Sequence, residues 1–331
     1  MKKYMLLLSY ALINVLISCN KLTDYIPPDF EEKLCINAVI NNGIDQNMII
    51  IEKTFQSEYP LEINASLENL SVSIKTESNV VFEYYNPKSD NRIDTVYLPA
   101  GLEFLPGQKY KLIISEKNSE TINSEVIVPS SPAISTVNVE GSTLTFLQPP
   151  GSCHNPVKSI ILNMNFMSEK DCFYYLDIAG YLAPWLQNLG FNHQDYEIIE
   201  SNTPYFKTLL YGFKTIGFPS CFLTPFAYIP TEIYQPYFFD SKTIPGKICT
   251  IKIKININKN FDYTRPIRIT LNSIPKELYN YEKSYKTFFE TQRDPFSEPV
   301  YLRGNIKAGY GIFSICNGSQ SSLLLPSNLL K

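Results

Sequence analysis

From Ile251 to Ile257 every second residue is isoleucine, and Lys252, Lys254 and Asn256 fill the gaps. A strict period of two gives one dry and one wet face only when the backbone is extended. A helix would spread the same isoleucines around its whole circumference. This segment must therefore be a strand, and a strand needs a sheet. The same alternation recurs in Ser71-Val72-Ser73-Ile74-Lys75 and in Tyr110-Lys111-Leu112-Ile113-Ile114. Between Leu34 and Pro129 the spacing predicts short strands at 34–40, 47–55, 70–76, 80–85, 94–98, 109–115 and 121–128. Turn formers separate them: Asn41-Asn42-Gly43, Asn86-Pro87, Ser89-Asp90-Asn91 and Pro106-Gly107. About seven short strands in roughly 95 residues is the pattern of an immunoglobulin-like or fibronectin-like β-sandwich.

Pro129-Ser130-Ser131-Pro132 disfavours helix and predicts a boundary. A second β-sandwich domain is expected over 133–331. It opens with an expected hairpin, Ile134–Val139 and Thr143–Leu147 around Glu140-Gly141-Ser142, followed by strands at 157–166 and 171–178. Residues 181–240 then break the pattern with 16 aromatics and six prolines, about twice the aromatic density of the whole chain at 13%. A structureless loop of that length is improbable inside a compact domain. An inserted subdomain at about 181–247 is expected instead. Strand pattern returns at 248–258 and 268–272. Pro275 to Gln292 is the one convincing helix, with Leu278, Tyr281, Tyr285, Phe288 and Phe289 on one face and Glu277 in the positive first turn. Strands are expected again at 299–303, 309–315 and 321–325. The fold class is thus mainly β, with two sandwiches, an aromatic-rich insertion and one helix.

The N-terminus predicts an address. Lys2 and Lys3 precede a 14-residue apolar stretch from Tyr4 to Ile17, interrupted only by Ser9 and Asn14. That is short of the ~20 residues needed to span a bilayer, and it has the form of a secretory signal. It ends in Leu16-Ile17-Ser18-Cys19, which resembles the lipobox of bacterial lipoproteins: a small residue before the cut, then a thiol able to carry thioether-linked diacylglycerol. Cleavage would make Cys19 the first residue and leave it with two or three acyl chains, enough for stable anchoring where one chain is marginal. Asn20 to Lys33 contains Pro27-Pro28 and reads as a tether of 14 residues. As a flexible coil it would span roughly 20 Å.

Six cysteines remain: Cys35, Cys153, Cys172, Cys221, Cys249 and Cys316. An exported chain can form disulfides, and sequence leaves the connectivity open. Cys153 with Cys172, and Cys221 with Cys249, are the candidate pairs, while Cys35 among Leu34, Ile36 and Val39 is expected to be a buried thiol. No Cys-x-x-Cys spacing suggests metal, and no phosphate-binding or dinucleotide motif implies a cofactor. The net charge of −3 lacks a basic patch, which argues against nucleic acid as a partner. His154 and His193 are the only histidines, and no Gly-x-Ser-x-Gly elbow accompanies them. The candidate binding residues are aromatics of the insertion: Tyr181, Trp185, Tyr234, Tyr237 and Phe238, whose rings could stack on a ligand or fill a partner's pockets. The competing expectation is that they form the insertion's own core.

The last third carries a more particular signature. Tyr279-Asn280-Tyr281 on the helix is followed by Asp294-Pro295-Phe296-Ser297-Glu298-Pro299, Gly304-Asn305-Ile306 and Gly309-Tyr310-Gly311-Ile312-Phe313. With the lipobox, the tether, Pro106-Gly107 before a strand and the Val128-Pro129 boundary, this order resembles the domain of unknown function 4249 family of envelope lipoproteins. The resemblance implies a lipid-anchored protein of the outer envelope, facing either side of the outer membrane, beside a TonB-dependent β-barrel transporter. It brings no catalytic or ligand residue. Physically, Asn305 is expected to satisfy backbone groups at a turn, and Gly304, Gly309 and Gly311 to permit positive φ or close approach. The expected function is non-catalytic ligand binding or bracing. A surface adhesin is the alternative, and a hydrolase a remoter one.

Overall fold

The computed structural model describes residues 33–42, 47–54, 66–89, 91–117, 119–146, 156–169, 171–181, 191–193, 196–201, 237–241, 248–256, 264–291 and 300–327. Sixteen strands and one helix are described. The seven expected N-terminal strands are present as β1 (Leu34–Asn42), β2 (Met48–Lys53), β3 (Leu67–Lys75), β4 (Val80–Ser89), β5 (Ile93–Tyr97), β6 (Lys109–Ser115) and β7 (Ile122–Ile127). They are followed by β8 (Ala133–Phe146), β9 (Pro156–Met167), β10 (Phe173–Tyr181), β11 (Phe191–His193), β12 (Tyr196–Ser201), β13 (Tyr237–Asp240), β14 (Ile248–Asn256), β15 (Ile267–Ile274), helix α1 (Lys276–Thr291) and β16 (Tyr310–Leu323).

The protein is mainly β, and its sheets stack as sandwiches. The largest sheet runs β11-β10-β15-β16-β1-β2-β5, with β13 also on β10. Two four-stranded sheets, β4-β3-β6-β7 and β12-β14-β9-β8, complete the set. One core lies between the β1–β2–β5 end of the large sheet and β3–β6–β7, where Ile36, Ile40, Ile51, Val72, Ile74, Leu112 and Ile114 are fully buried. The other lies between β10–β15 and β9–β14, where Leu162, Met164, Ile178, Ile269 and the alternating Ile251, Ile253 and Ile255 are fully buried. Alternation does what the sequence demands: every second side chain leaves water, each contributing about 1.5–3 kcal/mol.

β16 joins the two cores. Its first half pairs parallel with β1, from Cys35 opposite Tyr310 to Asn42 opposite Asn317. Its second half pairs antiparallel with β15, from Ser273 opposite Asn317 to Ile267 opposite Leu323. On its odd-numbered positions Phe313 and Ile315 enter the first core and Leu323 packs against the second, with the polar Asn317, Ser319 and Ser321 between them. The even-numbered face turns Ile312 and Cys316 toward α1. The first sandwich is therefore closed by the last of the described strands.

The asparagine and glycines of the C-terminal signature are structural. Asn305 Nδ2 donates to the Phe313 carbonyl at 2.8 Å, and the Phe313 N–H donates to Asn305 Oδ1 at 2.9 Å. The side-chain amide thus acts as one more residue of strand. Asn42 does the same for both backbone groups of Phe104. Gly311 has φ +104°, and a Cβ there would sit 1.9 Å from the Ile36 carbonyl oxygen. Only glycine fits where β16 slides against β1.

Three expectations are corrected. The hairpin around Gly141 is one continuous strand, β8, paired with β9 from Ala133–Met167 to Phe146–Pro156. Register shifts fall between Ile134 and Thr136 and between Val139 and Gly141, so the glycine marks a β-bulge rather than a turn. Residues 300–303 are irregular rather than a strand, and 309–315 and 321–325 belong to the single strand β16 and its end. Cys35 is half-buried, because it points to the opposite face of β1 from Leu34 and Ile36.

Candidate functional site

Among the aromatic candidates, Trp185 and Tyr234 lie outside the described residues, as do Cys19, Cys153, Cys221 and His154. The remaining three converge on one edge of β10. Tyr181 ends that strand opposite Phe191 of β11, and Tyr237 opens β13 opposite Leu176. Phe238 lies opposite Tyr175 and stacks on it at 5.4 Å between ring centroids, with a 24° interplanar angle. It is buried, and its ring packs into the layer beneath α1. The physical reason is strand addition: the aromatic-rich segment supplies β13 to the sheet edge, and period two turns Phe238 under α1. It also supplies β12, which pairs with β14 from Tyr196–Ile255 to Ser201–Ile251. His193 is the last residue of β11, opposite Ala179.

The seam between α1 and the large sheet holds the most unusual chemistry. Phe173, Tyr175, Phe238, Ile274, Ile312 and Cys316 form its sheet side, and Leu278, Tyr279 and Tyr281 its helix side. Phe173 and Tyr279 lie 4.6 Å apart. Within this apolar layer sits Glu282, only 4% exposed. Its Oε2 has no hydrogen-bond partner among the described residues. Burial alone pushes its carboxyl up to about 8, so it holds a proton at neutral pH. Across the seam, burial pushes the Cys316 thiol up to about 12; the Ser314 hydroxyl opposes this and Glu282 adds to it. A thiol so placed stays protonated and is no nucleophile. The sequence reading missed Glu282, although its four-residue spacing from Leu278 placed it on the buried stripe. Burial pushes Tyr279 upward as well, with Asp240 adding to the effect.

Of the cysteines offered as disulfide partners, Cys249 lies on β14 opposite Phe166, inside the second core. Cys172 is half-buried before β10 and donates to Glu169 Oε2 at 3.9 Å. Burial and the neighbouring Glu169 carboxylate push its thiol up, which disfavours the reactive thiolate. Among the described residues, no three or more His, Cys, Asp and Glu side chains are grouped to hold a metal. No described helix is long and apolar enough to cross a membrane.

Two β-sandwiches sharing a strand, with one helix laid over the shared sheet, define the class of this protein. The chain belongs to the domain of unknown function 4249 (DUF4249) family, whose match spans residues 21–322. A search of curated proteins finds no match. Solved structures overlap only loosely. A trypsin-activated α2-macroglobulin from Escherichia coli aligns with 89% of this chain at 5% identity and a TM-score of 0.23; the alignment spans 16% of that longer protein. The collagen adhesin of S. aureus aligns with 87% of this chain, and 93% of its own, at 10% identity and a TM-score of 0.19. The collagen-binding domain of the Erysipelothrix rhusiopathiae surface protein RspB aligns with 87% of this chain, and 96% of its own, at 7% identity and a TM-score of 0.17. These overlaps assign no function.

Proposed function

We propose that this protein is a lipid-anchored component of the bacterial outer envelope. In this reading it works without catalysis, as a ligand-binding or bracing subunit beside a TonB-dependent β-barrel transporter. The observation that carries the reading is Leu16-Ile17-Ser18-Cys19 behind a basic start and a short apolar run. The order of parts supports it: a 14-residue tether separates Cys19 from Leu34, the first residue of the sandwich. The α1 seam is in keeping with it: the Glu282 carboxyl and the Cys316 thiol are both buried and protonated at neutral pH, so neither offers an ionised base or nucleophile to solvent.

The test is affinity purification of the tagged full-length protein from membranes solubilised in mild detergent. A β-barrel transporter should co-purify. Recovery of the acylated protein alone would contradict the transporter partnership. Protease treatment of intact cells separates the two leaflets: degradation places the body at the surface, and protection places it in the periplasm.

A further inference from the structure

We infer that the pole of the molecule at which the tether enters is a phospholipid-contacting surface, built by the strap 301–310. The inference rests on the lipid anchor proposed above and adds to it a face of the body.

The strap is fixed to the start of β1. Tyr310 pairs with Cys35, Gly309 abuts the Leu34 carbonyl, and Gly304 abuts the Gly311 carbonyl. Lys307 bridges to Asn123, and the Arg303 N–H donates to Ser284 Oγ of α1 at 2.9 Å. Lys33, where the tether arrives, is tied by backbone and side chain to Thr54 at 2.8 Å. Residues 304–310 therefore lie beside the tether's point of entry on a rigid support, and Arg303 carries the strap from there onto α1.

What it shows to solvent has the composition of a membrane interface. Tyr301 is 85% exposed, Tyr310 56% and Leu302 41%. Arg303 and Lys307 are exposed between them, and neither makes an ion pair among the described residues. From Pro299 to Lys331 the chain contains no Asp or Glu. Three acids near this end carry their own cations, Glu52 with Arg92 at 2.6 Å, Glu116 with Lys53 at 3.6 Å and Glu68 with Lys117 at 2.8 Å, while the exposed Glu120 stands just before β7. Amphipathic rings and long cationic side chains suit the headgroup layer, where the apolar stem lies in lipid and the charge meets phosphate. Only 14 residues separate Cys19 from Leu34, and a coil of that length would span roughly 20 Å, which would keep this pole within range of the bilayer. Asp29, Glu31 and Glu32 in the tether disfavour a strongly anionic surface, so the occupant is the phosphate layer of a mainly zwitterionic bilayer.

The opposite pole supplies the control. Tyr97 is 70% exposed beside Met48, at the far end of β5 from Ile93 and Arg92. The test places photoreactive benzoylphenylalanine at Tyr301, Leu302 or Tyr97 in the full-length acylated protein. The protein is reconstituted in phosphatidylethanolamine–phosphatidylcholine vesicles and irradiated. Lipid adducts at 301 and 302 should exceed those at 97 several-fold, and Arg303→Glu with Lys307→Glu should reduce them at an unchanged melting temperature. Equal adducts at all three positions, or protein adducts alone at 301 in native membranes, overturn the inference while leaving the anchor intact. A protein that lacks acyl mass and does not stay with vesicles overturns the anchor, and this inference with it.

Discussion

At the scale of single residues, the account turns on side chains whose surroundings leave them one option. Glu282 is the sharpest case. The folded carboxyl keeps its proton up to about 8, whereas the unfolded one titrates near 4.5. Between those values the folded state binds more protons, so below pH 4.5 folding carries no cost of ionising the buried acid, and the stability that depends on Glu282 is at its maximum there. It is lost as pH rises toward 8, at about 1.4 kcal/mol per pH unit. Glu282→Gln should flatten that slope and make the protein more stable than wild type at pH 8. Urea unfolding at pH 5 and pH 8 measures both; parallel losses in the two proteins would contradict the burial argument. Glycines supply a second contrast. Gly311→Ala would place a Cβ 1.9 Å from a backbone oxygen at φ +104°, whereas the space around Gly141 is open within 4 Å. Thermal unfolding should show a loss of at least about 3 kcal/mol for the first and a change within about 0.5 kcal/mol for the second.

At the scale of elements, β16 is decisive. It gives β1 its parallel neighbour and contributes Phe313 and Ile315 to the first core. Residues 34–129 expressed alone should therefore lack a cooperative unfolding transition and bind apolar dyes. A sharp transition from that fragment would show that the seven N-terminal strands suffice. Those strands were legible in the sequence because each is set by local alternation and local turn formers. So was α1, from its apolar stripe, and so was the structural role of Asn305. The β1–β16 pairing was not legible: no local pattern tells a strand that its neighbour lies some 275 residues away in the chain. β8 was misread because Glu140-Gly141-Ser142 has turn composition, and a bulge uses glycine as a turn does. Glu282 was passed over because a charge on a helix is ordinarily solvated, and only the packed sheet reveals that this one is not. The burial of Phe238 was not legible either, because only its pairing with Tyr175 fixes the direction of its ring.

At the scale of the whole molecule, a strand common to two cores couples them. Phe313→Ala in the first core and Ile251→Ala in the second should each cost about 2–5 kcal/mol and shift one and the same calorimetric transition. Separate transitions, each moved by only one of the substitutions, would mean that the sandwiches unfold independently. A coupled body of this kind suits the role proposed above, holding and contacting at a membrane. The most direct measurement of that claim is intact mass spectrometry of the mature protein purified from membranes. The account predicts that residues 1–18 are absent and that Cys19 begins the chain, carrying two or three acyl groups. An unacylated chain, or one that retains Met1, would contradict it.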